Sequence, residues 1–186
     1  MINRLRAAAV AAALVALPAM SSAQDKQFEV GTKLLNVGLL LGSESYGSFG
    51  VGGGLEVGFK NIQDQVTLGI GGSIGFLRSS FDGLLGPGYS LTSIPLLGFV
   101  HGHYQLENVP KLDLYAGPAV GVSLTRFTYD NGFCGTLVNC DDNSSDVSVG
   151  IQAGARWALT PKVLAWGQVA GGTNMPFLNL GFSFKF

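Results

Sequence analysis

His101 and His103 are the only histidines of the 186-residue chain, and they stand two apart. On an extended strand that spacing points both imidazoles to one face, a placement able to grip a metal ion. No third ligand is evident beside them. Two histidines on a strand also serve structural or interfacial roles, so neither a metal nor another cofactor is expected. Ser93 offers a hydroxyl on the same stretch. A nucleophilic serine needs an imidazole in contact and a carboxylate to orient that base. Ser93 and His101 lie too far apart along one strand to meet, and no enzymatic activity is expected. The run from Asp141 to Asp146 (Asp-Asp-Asn-Ser-Ser-Asp) could attract Ca²⁺. It lacks the spacing and the glycine of an EF-hand loop, and a solvated loop is the favoured reading.

Six charges fall on faces otherwise made of small residues: Glu29, Lys33, Glu56, Asp113, Arg156 and Lys185. Three are acidic and three basic. They can pair and fill an interior, or they can line a gated or proton-relaying channel; the first is favoured.

The elements that carry these residues have a period of two. Val66, Leu68, Ile70, Ile74 and Phe76 alternate with Thr67, Gly69, Gly71, Ser73 and Gly75. The same alternation runs through 51–59, 112–124, 147–159 and 178–186. Each such segment is a strand with one apolar face and one polar or small face. Three more are less clean. The stretch 28–41 changes parity near Leu34–Leu35, which predicts a bulge; 94–104 and 163–171 are apolar on both faces in places. The total is eight strands. Longer connections are expected at 42–48, 78–90, 125–146 and 171–176, with short ones at 61–65, 105–111 and 160–162. Long turns at one end and short turns at the other are the pattern of an up-and-down barrel that spans a membrane.

Composition supports that reading. The chain is 47% hydrophobic and 12% charged, with 28 glycines. The low charge leaves no basic excess for nucleic acid. Glycine weakens a strand, so a solvated face would not collect it, whereas a narrow lumen crowded by side chains would. The apolar face then meets lipid. Phe59, Tyr104, Trp157 and Phe186 fall near the short-turn end, and Phe49, Phe76, Phe127 and Phe177 near the other, as two interfacial belts would require.

Residues 1–23 read as a cleaved secretory signal: Arg4 and Arg6, an apolar run from Ala7 to Leu17, Pro18, then Ser21-Ser22-Ala23. Residues 24–186 are then one barrel domain. Without Arg4 and Arg6, nine basic residues face twelve acidic ones, a formal charge of −3. Export would place Cys134 and Cys140, the only cysteines, in an oxidising compartment. They share the longest connection, and a disulfide is expected there; two free thiols or a metal pair is the alternative.

The last eight residues, Asn179-Leu180-Gly181-Phe182-Ser183-Phe184-Lys185-Phe186, resemble the C-terminal signal of bacterial outer-membrane proteins. Gly181, Phe184 and Phe186 carry the likeness. The whole mature chain resembles the small OmpA/OmpX-like outer-membrane β-barrels. That resemblance implies an all-β, eight-stranded antiparallel transmembrane barrel, monomeric, in the bacterial outer membrane with both termini periplasmic. It implies recognition of the C-terminus by the barrel assembly machinery, contact with outer-membrane lipid and lipopolysaccharide, and roles such as adhesion, host contact or envelope integrity. A small channel, or a lipid-A-modifying enzyme, is the alternative. Glu44, Asp82, Asp130, Asp141, Asp142 and Asp146 outnumber Arg78 and Arg126 in the long connections, a net of −4. Any surface ligand would be met there.

Overall fold

The structure, a computed structural model, describes residues 26–42, 48–63, 65–81, 89–129 and 142–186. Residues 1–23, expected to be a signal, and both cysteines lie outside them. Eight strands follow in chain order: β1 (Lys33–Leu41), β2 (Phe49–Gln63), β3 (Val66–Phe81), β4 (Tyr89–Gln105), β5 (Leu112–Tyr129), β6 (Asp142–Ala158), β7 (Val163–Thr173) and β8 (Leu178–Lys185). Each pairs antiparallel with its neighbour, and β8 returns to β1, so the sheet closes into a barrel. Closure satisfies every ladder without an edge, which is what a sheet in lipid requires. Among the described residues no helix is long and apolar enough to cross a membrane; the crossing elements are strands.

The alternation sets the two faces. Leu55, Ile70, Ile74, Val120, Val147, Ile151 and Phe182 point outward and are each more than half exposed. Gly69, Gly71, Gly75, Gly150 and Gly154 point inward with the polar residues of their strands. Phe49, Phe59, Phe76, Tyr104, Phe177 and Phe186 are exposed on the outside. Phe127, expected with them, has inward parity at the end of β5.

Three expectations about the strands are corrected. β1 contains no bulge: its register runs unbroken from Lys33↔Val57 to Leu41↔Phe49. The apparent parity change arises because Leu34 and Leu40 face inward as core residues while Leu35, Val37 and Leu39 face out. Residues 28–32 are not strand at all; Gly31 has φ +88°, and the chain turns there so that Phe28 folds under the barrel. The connections expected at 78–90 and 125–146 are also shorter than expected, while 42–48 keeps its bounds. β3 and β4 run on to Ser80↔Ser90 and Phe81↔Tyr89, and β5 and β6 to Arg126↔Asn143 and Phe127↔Asp142. Thr, Tyr and Phe in these stretches suit a pleated surface. The result is a lopsided wall: β3 to β6 have 16–18 residues, whereas β1, β7 and β8 have 9, 11 and 8.

Candidate functional site in the barrel lumen

The inward faces of β2, β4, β5 and β6 bring Glu56, His101, His103, Tyr115, Asp113, Gln152 and Arg156 together. Each of the seven is at most 3% exposed. Their meeting follows from register. Asp113 lies directly across from Arg156, and Tyr115 across from His103, while Glu56 reaches them from β2 over Gly69 of β3.

Arg156 ties the two carboxylates together. Its Nη2 donates to Glu56 Oε2, and its Nη1 donates to Asp113 Oδ2 at 3.2 Å. The Tyr115 ring lies 4.2 Å from the guanidinium carbon. His103 stands between the carboxylates: Nδ1 is 2.9 Å from Asp113 Oδ2, and Nε2 is 2.9 Å from Glu56 Oε1. His101 Nδ1 approaches the same Glu56 Oε1 at 2.9 Å, and its Nε2 lies 3.0 Å from the Gln152 side-chain oxygen. With His103 protonated at both nitrogens, two anions and two cations sum to zero. Such closure is what makes a dry charge cluster tolerable, since an unpaired buried charge is costly.

Apolar layers flank the cluster on both sides. Toward the termini, Phe28, Leu34, Ala158 and Leu164 form a buried group, and Phe28 stacks on His103 at 3.7 Å between ring centroids. Toward the long connections, Leu97, Phe99, Ala119, Ala170 and Met175 form a second, and Phe99 stacks on His101 at 4.3 Å. These layers explain why the segments 94–104 and 163–171 read as apolar on both faces. Gln105 Nε2 holds the Phe28 carbonyl at 2.5 Å. Two glycines make the room. A Cβ on Gly69 would lie 2.8 Å from Glu56 Oε1 and 3.0 Å from His103 Nε2; one on Gly154 would lie 2.5 Å from the Tyr115 ring. Beyond the upper apolar layer the lumen is hydroxylated, with Ser93 and Ser123 hydrogen-bonded at 2.8 Å. A cavity of about 50 Å³ borders the cluster, lined by His101, Gln152, Arg156, Trp166 and Asn179 among others. Among the described residues, the buried Arg156 Nε, Trp166 Nε1 and Asn179 Oδ1 have no protein partner. A few water molecules fit in such a volume and would bond to them.

Of the six charges expected inside, Glu56, Asp113 and Arg156 meet. Glu29 and Lys33 are exposed: the chain has not entered the barrel at Glu29, and Lys33 shares the outward parity of Leu35. Lys185 has inward parity but sits half-buried at the rim, past the fully buried Ser183. The histidines are full members of the cluster, and the carboxylate they share, Glu56, lies 45 residues upstream of His101 on another strand. Their ring nitrogens face Glu56, Asp113 and Gln152, while Ser93 bonds Ser123. Gly181 faces inward on β8, and Phe184 and Phe186 face out.

The model of the outer membrane protein beta-barrel domain matches residues 7–170. The chain belongs to this family. A search of curated proteins finds no match. Among solved structures, the barrel resembles Ail, the attachment invasion locus protein of Yersinia pestis, at TM-score 0.56 and 13% identity, over 84% of this chain and 99% of that one. It resembles OprG from Pseudomonas aeruginosa at TM-score 0.55 and 14% identity, over 87% and 99%. Ail in complex with the heparin analogue sucrose octasulfate matches at 0.53 and 14%, over 84% and 99%. At such identities the likeness is one of fold: an eight-stranded outer-membrane barrel.

Proposed function

We propose that the protein is a monomeric, non-enzymatic outer-membrane barrel with a structural or surface-interaction role, and that its lumen is closed to solutes. The single observation behind this reading is the stacking of two apolar layers around a neutral ion cluster, because each layer alone obstructs a barrel of this width. Residues 1–23 act as the export signal, and both termini lie in the periplasm beside the short turns. Gly181, Phe184 and Phe186 present the assembly signal to the barrel machinery. Lipid and lipopolysaccharide cover the outward Leu, Val, Ile and Phe side chains. The engagement of both imidazoles by carboxylate and amide groups supports the absence of a lipid-modifying activity, since neither ring is left to activate Ser93. The long connections carry the ligand-facing role in adhesion or envelope integrity. Their acidic balance disfavours a sulfated polyanion such as the one held by Ail and favours a basic surface or divalent cations.

Planar-bilayer recording on the refolded mature chain tests the closed lumen. The expected outcome is no stable, porin-sized conductance. A steady conductance of that size would replace the structural reading with the channel one.

A further inference from the structure

We propose that Glu56, His101 and His103 form a binding site for one divalent transition-metal ion, of the Zn²⁺ type, in the middle of the lumen. The three residues each aim one donor atom at a common centre, and these atoms all lie within 4.8 Å of one another. Ligands of a tetrahedral ion at bond lengths of about 2.0–2.1 Å lie roughly 3.3 Å apart. The two nitrogen–oxygen separations of 2.9 Å open by a few tenths of an ångström, and the two nitrogens, within 4.8 Å of each other, draw together around the ion.

The outer atoms of the same side chains carry the argument further. His103 turns Nε2 to the centre and Nδ1 to the Asp113 carboxylate. His101 turns Nδ1 to the centre and Nε2 to the Gln152 side-chain oxygen. In the metal-free cluster Glu56 Oε1 lies 2.9 Å from both front nitrogens and accepts from them. A metal ion would take the place of those protons, and the acceptor behind each ring would then hold a proton on the rear nitrogen, the arrangement found behind metal-bound histidines. Glu56 is free to serve, because Arg156 occupies its other oxygen, Oε2. Phe28 and Phe99 hold the rings by stacking, so the donors are set before an ion arrives. Two imidazoles and one carboxylate select Zn²⁺, Co²⁺, Ni²⁺ or Cu²⁺ over Mg²⁺ and Ca²⁺.

The experiment uses the tag-free mature chain refolded in micelles, carrying Cys134→Ser and Cys140→Ser so that no thiolate contributes. Zn²⁺ and Co²⁺ are added separately to the unfolded chain before refolding, because the donors are buried in the folded barrel, and the loaded protein is examined by X-ray absorption. Because the chain has only two histidines, a two-imidazole signature can come from no other place. One equivalent bound with two imidazole ligands is expected. His101→Gln and His103→Gln each abolish that binding, and Asp113→Asn, which leaves the donors in place, weakens it about 10–100-fold. Folding of each variant is checked by its heat-dependent gel migration. If a variant does not fold, the absorption spectrum of the parent protein decides alone. Failure to retain one equivalent at micromolar free metal, or a bound ion with fewer than two imidazoles, overturns the proposal. The result is independent of conductance, so this site and the closed lumen stand or fall separately.

Discussion

The two halves of the lumen solve the same filling problem with different chemistry. Nearer the termini, the barrel is packed with ionised groups that satisfy one another: Glu56, His103, Asp113 and Arg156, roofed by Phe28 on one side and Phe99 on the other. Nearer the long connections it holds small hydroxyls, such as the Ser93–Ser123 pair. In the first region every side chain depends on several others, so one deletion strands a charge. In the second each bond is local, and water from the open end can replace it. The same sheet therefore carries one stretch where sequence is tightly constrained by neutrality and another where it is constrained only by volume.

The sharpest way to break this contrast is Glu56→Ala. Removing the shared acceptor leaves two cations, Arg156 and His103, against the single carboxylate of Asp113 in a buried layer, and destabilisation of about 3–5 kcal/mol is expected in urea titrations of the micelle-embedded barrel. A loss below about 1 kcal/mol would show that water reaches the layer and that the two halves are alike. A smaller effect is expected from Gly154→Ala. The new Cβ meets the Tyr115 ring and the Gly167 carbonyl oxygen, each at 2.5 Å, and the ring is held by Arg156 over its face. Overpacking of this kind costs about 1–3 kcal/mol, measured in the same way.

These residues also mark how far the sequence was legible. Strand number follows from a period of two, which any stretch displays by itself; the barrel and the inward direction of glycine follow from the turn lengths and the composition of the two faces. Glu56, Asp113 and Arg156 fall on the small-residue face by alternation. Glu29 and Lys33 misled because 28–41 was read as one strand; the turn at Gly31 and the inward Leu34 are decided by the space beneath the barrel, which no local pattern records. The union of His101 and His103 with Glu56 needed the stagger of β2 against β4 across an intervening strand. Stagger is a property of the closed ring, not of any segment, so a third ligand could not be found by scanning near the histidines.

The upper half gives the weaker responses. Ser123→Ala removes one hydroxyl bond and should cost about 0.5–1.5 kcal/mol; a value as large as that for Glu56→Ala would erase the distinction between the halves. Smallest of all is the effect of replacing Cys134 and Cys140 together by Ser. If they form a disulfide within the longest connection, barrel stability should change by less than about 0.5 kcal/mol. Thiol labelling of the denatured, unreduced parent should find no free sulfhydryl. Labelling of both cysteines would remove the disulfide from the account of the long-connection end.

The uneven strand lengths bear on how the ring comes undone. β8 has 8 residues and β1 has 9, whereas β4, β5 and β6 have 17, 18 and 17. The junction of first and last strands is thus a short zipper, finished by the Phe186 amide on the Lys33 carbonyl at 3.1 Å. It joins the two parts of the chain most distant along the sequence, and closing so large a loop is entropically the most expensive pairing in the ring. Opening free energy should be lowest along this line. Amide exchange would then spread outward from the β1–β8 junction, with the tall β4–β6 panel surviving as the last protected island.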